Sequence, residues 1–194
     1  MEIDIYDFDK TIVPFDSGSR FCLYCLLRYP WIIICLPVIL AAGVLMLLHL
    51  ISFTAFKRTC FMFVPLIPLD RAVKGFWNKY EKQVHPWFYK RKRKCAVISA
   101  SPDFLLEEIA ERLDFDYLIC TRHSRKTGMI IGENCRDEEK VRRFREQFEN
   151  ARVIDVYSDS LKHDKPIFSL AGGQCYHVVN SVFHPFDFND VYGE

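Results

Sequence analysis

The chain has 194 residues, half of them hydrophobic and 15% aromatic, with a formal net charge of +1. That length holds one domain with an insert and a sizeable core, and the near-balanced charge excludes a general electrostatic attraction for nucleic acid. Eight scattered cysteines, with no signal-peptide pattern at Met1-Glu2-Ile3-Asp4, point to a reducing cytoplasm and against a disulfide-stapled fold. Cys22 and Cys25 form a lone CxxC with no second pair at zinc spacing, which reads as small residues on a helix face.

Residues 2–7 read as a first strand running into Asp7-Phe8-Asp9-Lys10-Thr11. Two acids two apart share a face of extended chain. The C-terminal edge of a first strand is where open α/β sheets keep their chemistry; a solvated Asp pair in a turn is the alternative. Asp16, Ser17 or Ser19 can cap a helix through Phe21, Leu23, Leu26 and Leu27. From Tyr29 to Phe56 no Lys, Arg, Asp or Glu occurs, and Pro37 and Gly43 interrupt the apolar run. Phe61-Met62-Phe63-Val64 ends at Pro65 and Pro68. An amphipathic helix then fits Val73, Phe76, Trp77, Tyr80 and Val84. His85-Pro86 ends it, and Trp87-Phe88-Tyr89 lead into the basic run Lys90-Arg91-Lys92-Arg93-Lys94.

The remainder alternates strands with helices. A strand over 95–99 ends at Ser99, and a helix over 102–113 follows with Ser101 as N-cap and Pro102 at its first position. Residues 117–120 read as a strand, Lys126-Thr127-Gly128 as a turn before Met129-Ile130-Ile131, and 137–149 as a helix burying Val141, Phe144 and Phe148. A strand over 152–157, a helix over 164–171 and a strand over 175–179 complete the pattern, with an irregular tail from Phe183. Such alternation implies an α/β fold with a parallel sheet covered on both faces.

Four segments in order, Asp7-Phe8-Asp9, the apolar run ending at Ser99, Lys140, and Val153–Tyr157 followed by Asp159 and Asp164, resemble the motifs of haloacid dehalogenase-like (HAD) phosphohydrolases. The stretch from Cys95 to Asp164 looks most like the phosphoserine phosphatase branch and its membrane-associated relatives, including phosphatidylglycerophosphatase C. The resemblance covers residues 1–13 and about 95–180. It implies a three-layer, Rossmann-like core over 1–13 and 95–194, with an inserted helical, hydrophobic cap over 14–94. It makes Asp7 the nucleophile that forms an aspartyl-phosphate. Asp9 becomes the general acid and then the base, Ser99 a donor to the phosphoryl group, and Lys140 its cationic partner. Mg²⁺ would be held by the carboxylates of Asp7 and Asp159 and the backbone carbonyl of Asp9, with Asp164 a further ligand or a support for Lys140. Ser158 stands where many relatives have Gly, and Arg136-Asp137 where they often have a residue and then Gly. Asn134-Cys135 precede Lys140 as in the membrane-associated relatives. Arg122 is a candidate anion binder, with an exposed surface charge as the alternative.

The apolar stretch is long enough for a bilayer helix of about 20 residues. The motifs lie on both sides of the insert and must meet at one phosphate, so both its ends stay on one side of a membrane. Either a re-entrant hairpin bending near Pro37 or Ala41-Ala42-Gly43, or a cap lying in the interface, satisfies this. Trp87 and the Lys90, Arg91, Lys92, Arg93, Lys94 run are expected to face anionic lipid. The expectation is a Mg²⁺-dependent phosphomonoesterase on the cytoplasmic membrane face. Its expected substrate is a lipid headgroup phosphate such as phosphatidylglycerophosphate. A soluble phosphatase acting on a phosphoserine-like ester, or a non-catalytic membrane scaffold, are the alternatives.

Overall fold

The computed structural model describes residues 1–193. Six strands form one sheet: β1 (Glu2–Tyr6), β2 (Lys94–Pro102), β3 (Tyr117–Thr121), β4 (Arg152–Ser158), β5 (Cys175–Val179) and β6 (Val182–Phe186). Their spatial order is β3-β2-β1-β4-β5-β6. All neighbours are parallel except β5 and β6.

Side-chain alternation explains why both faces are covered. From β1 and β2, Ile3, Ile5, Ala96 and Ile98 enter one core, and Tyr6, Cys95 and Val97 enter the other. The first core is closed by α6 (Glu138–Gln147), through Val141 and Phe144, and by the short α7 (Lys165–Phe168). The second is closed by α1 (Ser17–Arg28), α4 (Leu69–Tyr80) and α5 (Asp103–Arg112). There Trp77 Nε1 donates to Leu105 O at 2.7 Å, tying α4 to α5. The segment between β1 and β2 is therefore not cap throughout: α4 and Phe88 belong to the core layer. The lid-like part is a 3₁₀ turn over Pro30–Cys35, α2 (Leu36–Leu47) and α3 (Phe53–Cys60), joined to the core layer through α1.

Four further expectations are corrected. The apolar hairpin does not bend at Pro37 or Gly43. Pro37 sits in the first turn of α2, where its missing N–H costs nothing. The reversal falls at Leu48–Ser52, where His49 takes φ 58° and Ser52 caps α3. The helix expected over 164–171 is only the single turn of α7. The tail from Phe183 is not irregular: β5 and β6 pair around Asn180 and Ser181, both at positive φ as a tight hairpin requires. A last helix, α8 (Phe188–Tyr192), packs Phe188 and Tyr192 beside the first core.

The basic run is the fourth. It lies at the start of β2, about 16 Å from Ser99 at 3.3 Å per residue, at the opposite sheet edge from the lid. Arg93 pairs with Asp4 at 2.8 Å and with Asp155, and Arg91 donates to Leu113 O at 2.7 Å. Trp87 is part of a ring cluster with Tyr6, Tyr157 and Phe183. Internal partners thus hold Trp87, Arg91 and Arg93, and only Lys90, Lys92 and Lys94 stay fully exposed.

Candidate active site

Asp7 continues β1 by one residue, its N–H donating to Tyr157 O at 2.9 Å. The chain then turns sharply: Phe8 O accepts from the N–H groups of Thr11, Ile12 and Val13, and Lys10 sits at φ 58°. That turn leaves the acids of the first motif at the C-terminal sheet edge. Ser99 and Ser101 end β2 beside it, and Asp159 follows β4.

Lys140 lies in the first turn of α6, where the helix dipole disfavours a cation. Two carboxylates resolve the conflict. Its Nζ is 2.7 Å from Asp7 Oδ1 and 2.7 Å from Asp164 Oδ1. All three are buried, at 3%, 6% and 2% exposure. Burial works against the ammonium, but Asp7 and Asp164 outweigh it and hold its pKa well above the ordinary lysine value. Asp164 also accepts from Ser158 Oγ, so the Ser in place of Gly has a structural task. Asp164 therefore supports Lys140.

Asp9 turns the other way. Its Oδ1 accepts from Ser17 N at 2.7 Å and its Oδ2 from Ser101 Oγ, while Ser17 Oγ donates to Ser101 Oγ at 2.9 Å. Ser101 is thus not the cap of α5, which has no side-chain cap at its start. Burial, followed by the charge of Asp16, pushes the Asp9 carboxyl up to about 6 against the serine hydrogen bonds. Ser99 Oγ accepts from Ser101 N at 3.1 Å and is buried. Its one hydroxyl hydrogen remains free to donate.

Three further residues tie the site together: Thr11 and Asn134, noted in the sequence without a role, and Lys57, which carried no signal there. Thr11 Oγ1 accepts from Asp159 N at 2.9 Å and lies 3.4 Å from Asp7 Oδ2, tying two motifs together. Lys57 of α3 donates to Ala100 O and, at 2.9 Å, to Asn134 Oδ1, fastening the lid to the core. Burial lowers its pKa to about 8. Asn134 also accepts from Thr121 Oγ1 at 2.9 Å. Arg122, by contrast, is exposed and lies outside the site.

Asp7, Asp9, Ser99, Lys140, Asp159 and Asp164 all line one cavity of about 620 Å³. Burial and then the charge of Asp164 raise the Asp159 pKa, and burial pushes Asp7 up despite Lys140. Crowded acids raised in this way, with one buried ammonium among them, suit an added hard cation. Among the described residues no three His, Cys, Asp or Glu side chains enclose an ion by themselves. A metal here would therefore draw on Asp7, Asp159, main-chain oxygen, water and substrate, the oxygen-rich and partly hydrated set that Mg²⁺ favours.

A family model described as haloacid dehalogenase-like hydrolase matches residues 5–169. Protein CicA of Caulobacter vibrioides (strain NA1000 / CB15N) is 33% identical over 91 residues, covering 44% of this chain and 40% of that curated relative, so the chain spans less than half its length. Among solved structures, a protein of unknown function from Bordetella pertussis Tohama I aligns with a TM-score of 0.66 at 16% identity, covering 86% of this chain and 85% of that one. A phosphoserine phosphatase solved as a phospho-aspartyl intermediate analogue aligns with a TM-score of 0.56 at 17% identity, covering 88% and 83%. These likenesses concern the fold.

Proposed function

Because the chain belongs to the haloacid dehalogenase-like hydrolases, we propose that it is a phosphatase that cleaves phosphomonoesters through an aspartyl-phosphate on Asp7, with Mg²⁺ as cofactor. One observation carries this reading: Asp7 is fixed by Lys140, itself braced by Asp164, on a cavity that also holds Asp9, Ser99 and Asp159. The phosphoserine phosphatase likeness supports the same chemistry.

In the first half-reaction an Asp7 oxygen attacks phosphorus as the ester P–O bond breaks, and Asp9 gives its proton to the departing alkoxide. An acid with a pKa near 6 suits that donation near neutral pH. Ser17 and Ser101 aim the Asp9 carboxyl. Lys140 and the Ser99 hydroxyl offset charge on the phosphoryl oxygens. In the second half, Asp9 takes a proton from water, the hydroxide attacks phosphorus, and the Asp7 carboxylate departs with inorganic phosphate released. Mg²⁺, held by Asp7 and Asp159, would neutralise phosphoryl charge in both halves.

The substrate we favour is a membrane lipid phosphate such as phosphatidylglycerophosphate, met by a protein lying on or re-entering the cytoplasmic membrane face. What supports it is Pro30–Leu47, 18 residues of mean hydropathy 2.5 of which only 17% are buried. A soluble phosphoserine-like ester is the second reading, favoured by the fold shared with a phosphoserine phosphatase. Asp7→Asn should abolish Mg²⁺-dependent hydrolysis of p-nitrophenyl phosphate while the circular dichroism spectrum is retained. Persistent turnover in that variant refutes the nucleophile. A screen of lipid and soluble esters, with and without detergent, separates the two substrate readings.

A further inference from the structure

The cavity has two chemically distinct ends. The inner end carries the acids, Ser99 and Lys140. The outer end is walled by Leu23 and Leu26 of α1, Ile32, Leu36 and Ile39 at the start of the hairpin, and Phe56 of α3. Leu23 and Leu36 are themselves exposed, so the greasy wall reaches the protein surface, while Ser19, Lys57 and Arg136 also line the cavity. The same helix, α2, shows Ile39 to the cavity and Leu40 and Leu47 to the outside.

A short polar phosphate ester gains nothing from such a wall. We infer that the outer compartment seats the hydrocarbon chain of an amphiphilic phosphomonoester, which enters sideways between α1 and α2 with its phosphate leading to Asp7 and Lys140. This rests on the phosphatase reading of the inner end and adds a chain-binding site to it. The occupant follows from continuity: one cavity joins the charged cradle to the apolar wall. Each methylene buried there is worth about fourfold in binding.

The test uses ethyl, butyl, hexyl and octyl phosphate, all monomeric, with neither detergent nor vesicles. kcat/KM should climb at least tenfold from ethyl to octyl, and Ile39→Trp, which fills the compartment, should bring the octyl-to-ethyl ratio toward one. Hydrolysis independent of chain length overturns the inference and leaves the phosphatase intact. An advantage that appears only with vesicle-borne ester also overturns it, because the gain then belongs to the membrane surface. Should no ester turn over, the phosphatase reading fails. Calorimetric titration of the Asp7→Asn protein then decides the chain site: octyl phosphate must bind at least tenfold more tightly than inorganic phosphate, and equal affinities refute the site.

Discussion

Asp9 shows at the residue scale how the acid role proposed for it opposes stability. Its folded pKa of about 6 lies above the unfolded value of about 3.9. Between those two values the native state binds more protons than the unfolded chain, so its contribution to stability falls as pH rises through that window and stays low above it. Asp9→Asn keeps an acceptor for Ser17 N without the charge. With chelator present, denaturant titration should find the variant more stable than the parent by about 1–3 kcal/mol at pH 8, and no more stable at pH 4. The same substitution should lower kcat by 10²-fold or more. A stability gain that is equal at both pH values removes the burial account of Asp9. The acids of the first motif are legible because three later segments follow them in order; the pair alone reads equally well as a solvated turn. Ser101 reads as a cap because a serine before a proline also fits a helix start, and nothing local reveals that Asp9 competes for its hydroxyl.

Among the elements, the core strands were legible for a physical reason: β1 and β2 feed both cores, so their apolar runs stand out. The β5–β6 hairpin was not, since Asn180-Ser181 is a weaker turn signal than Asn-Gly and His184 and Pro185 dilute the strand pattern. The reversal between α2 and α3 is hard to place from sequence because proline and glycine read as breakers, whereas Pro37 only starts a helix and Gly43 sits inside it. The lid is fastened through α3. Lys57→Met removes both donors to Ala100 and Asn134, a loss of about 1–3 kcal/mol in lid docking. Hydrogen exchange should then quicken across 36–60 while the amides of β1 and β4 remain protected. Unchanged exchange in the lid rules out the fastening.

The whole molecule presents two unlike ends. Ile34, Leu40 and Leu47, at 73%, 60% and 72% exposure, crown the lid. On the proposed membrane reading, α2, about 18 Å long against a ~30 Å hydrocarbon core, would fit within a single leaflet. Co-sedimentation with anionic vesicles should therefore fall at least tenfold when Ile34, Leu40 and Leu47 all become Ser. Neutralising Lys90, Lys92 and Lys94 should change it less than twofold, because that run faces away from the lid. The reverse ranking assigns membrane contact to the basic end. The placement of β1 carries a separate implication for biosynthesis. β1 is made before both of its neighbours, β2 and β4, which clasp it with Ile3 opposite Lys94 and Val153. Its second neighbour leaves the ribosome some 150 residues after it. For the later part of that interval the greasy hairpin is already outside the exit tunnel with its core unfinished, so whatever shields those side chains, bilayer or chaperone, engages the nascent chain before the enzyme has a site.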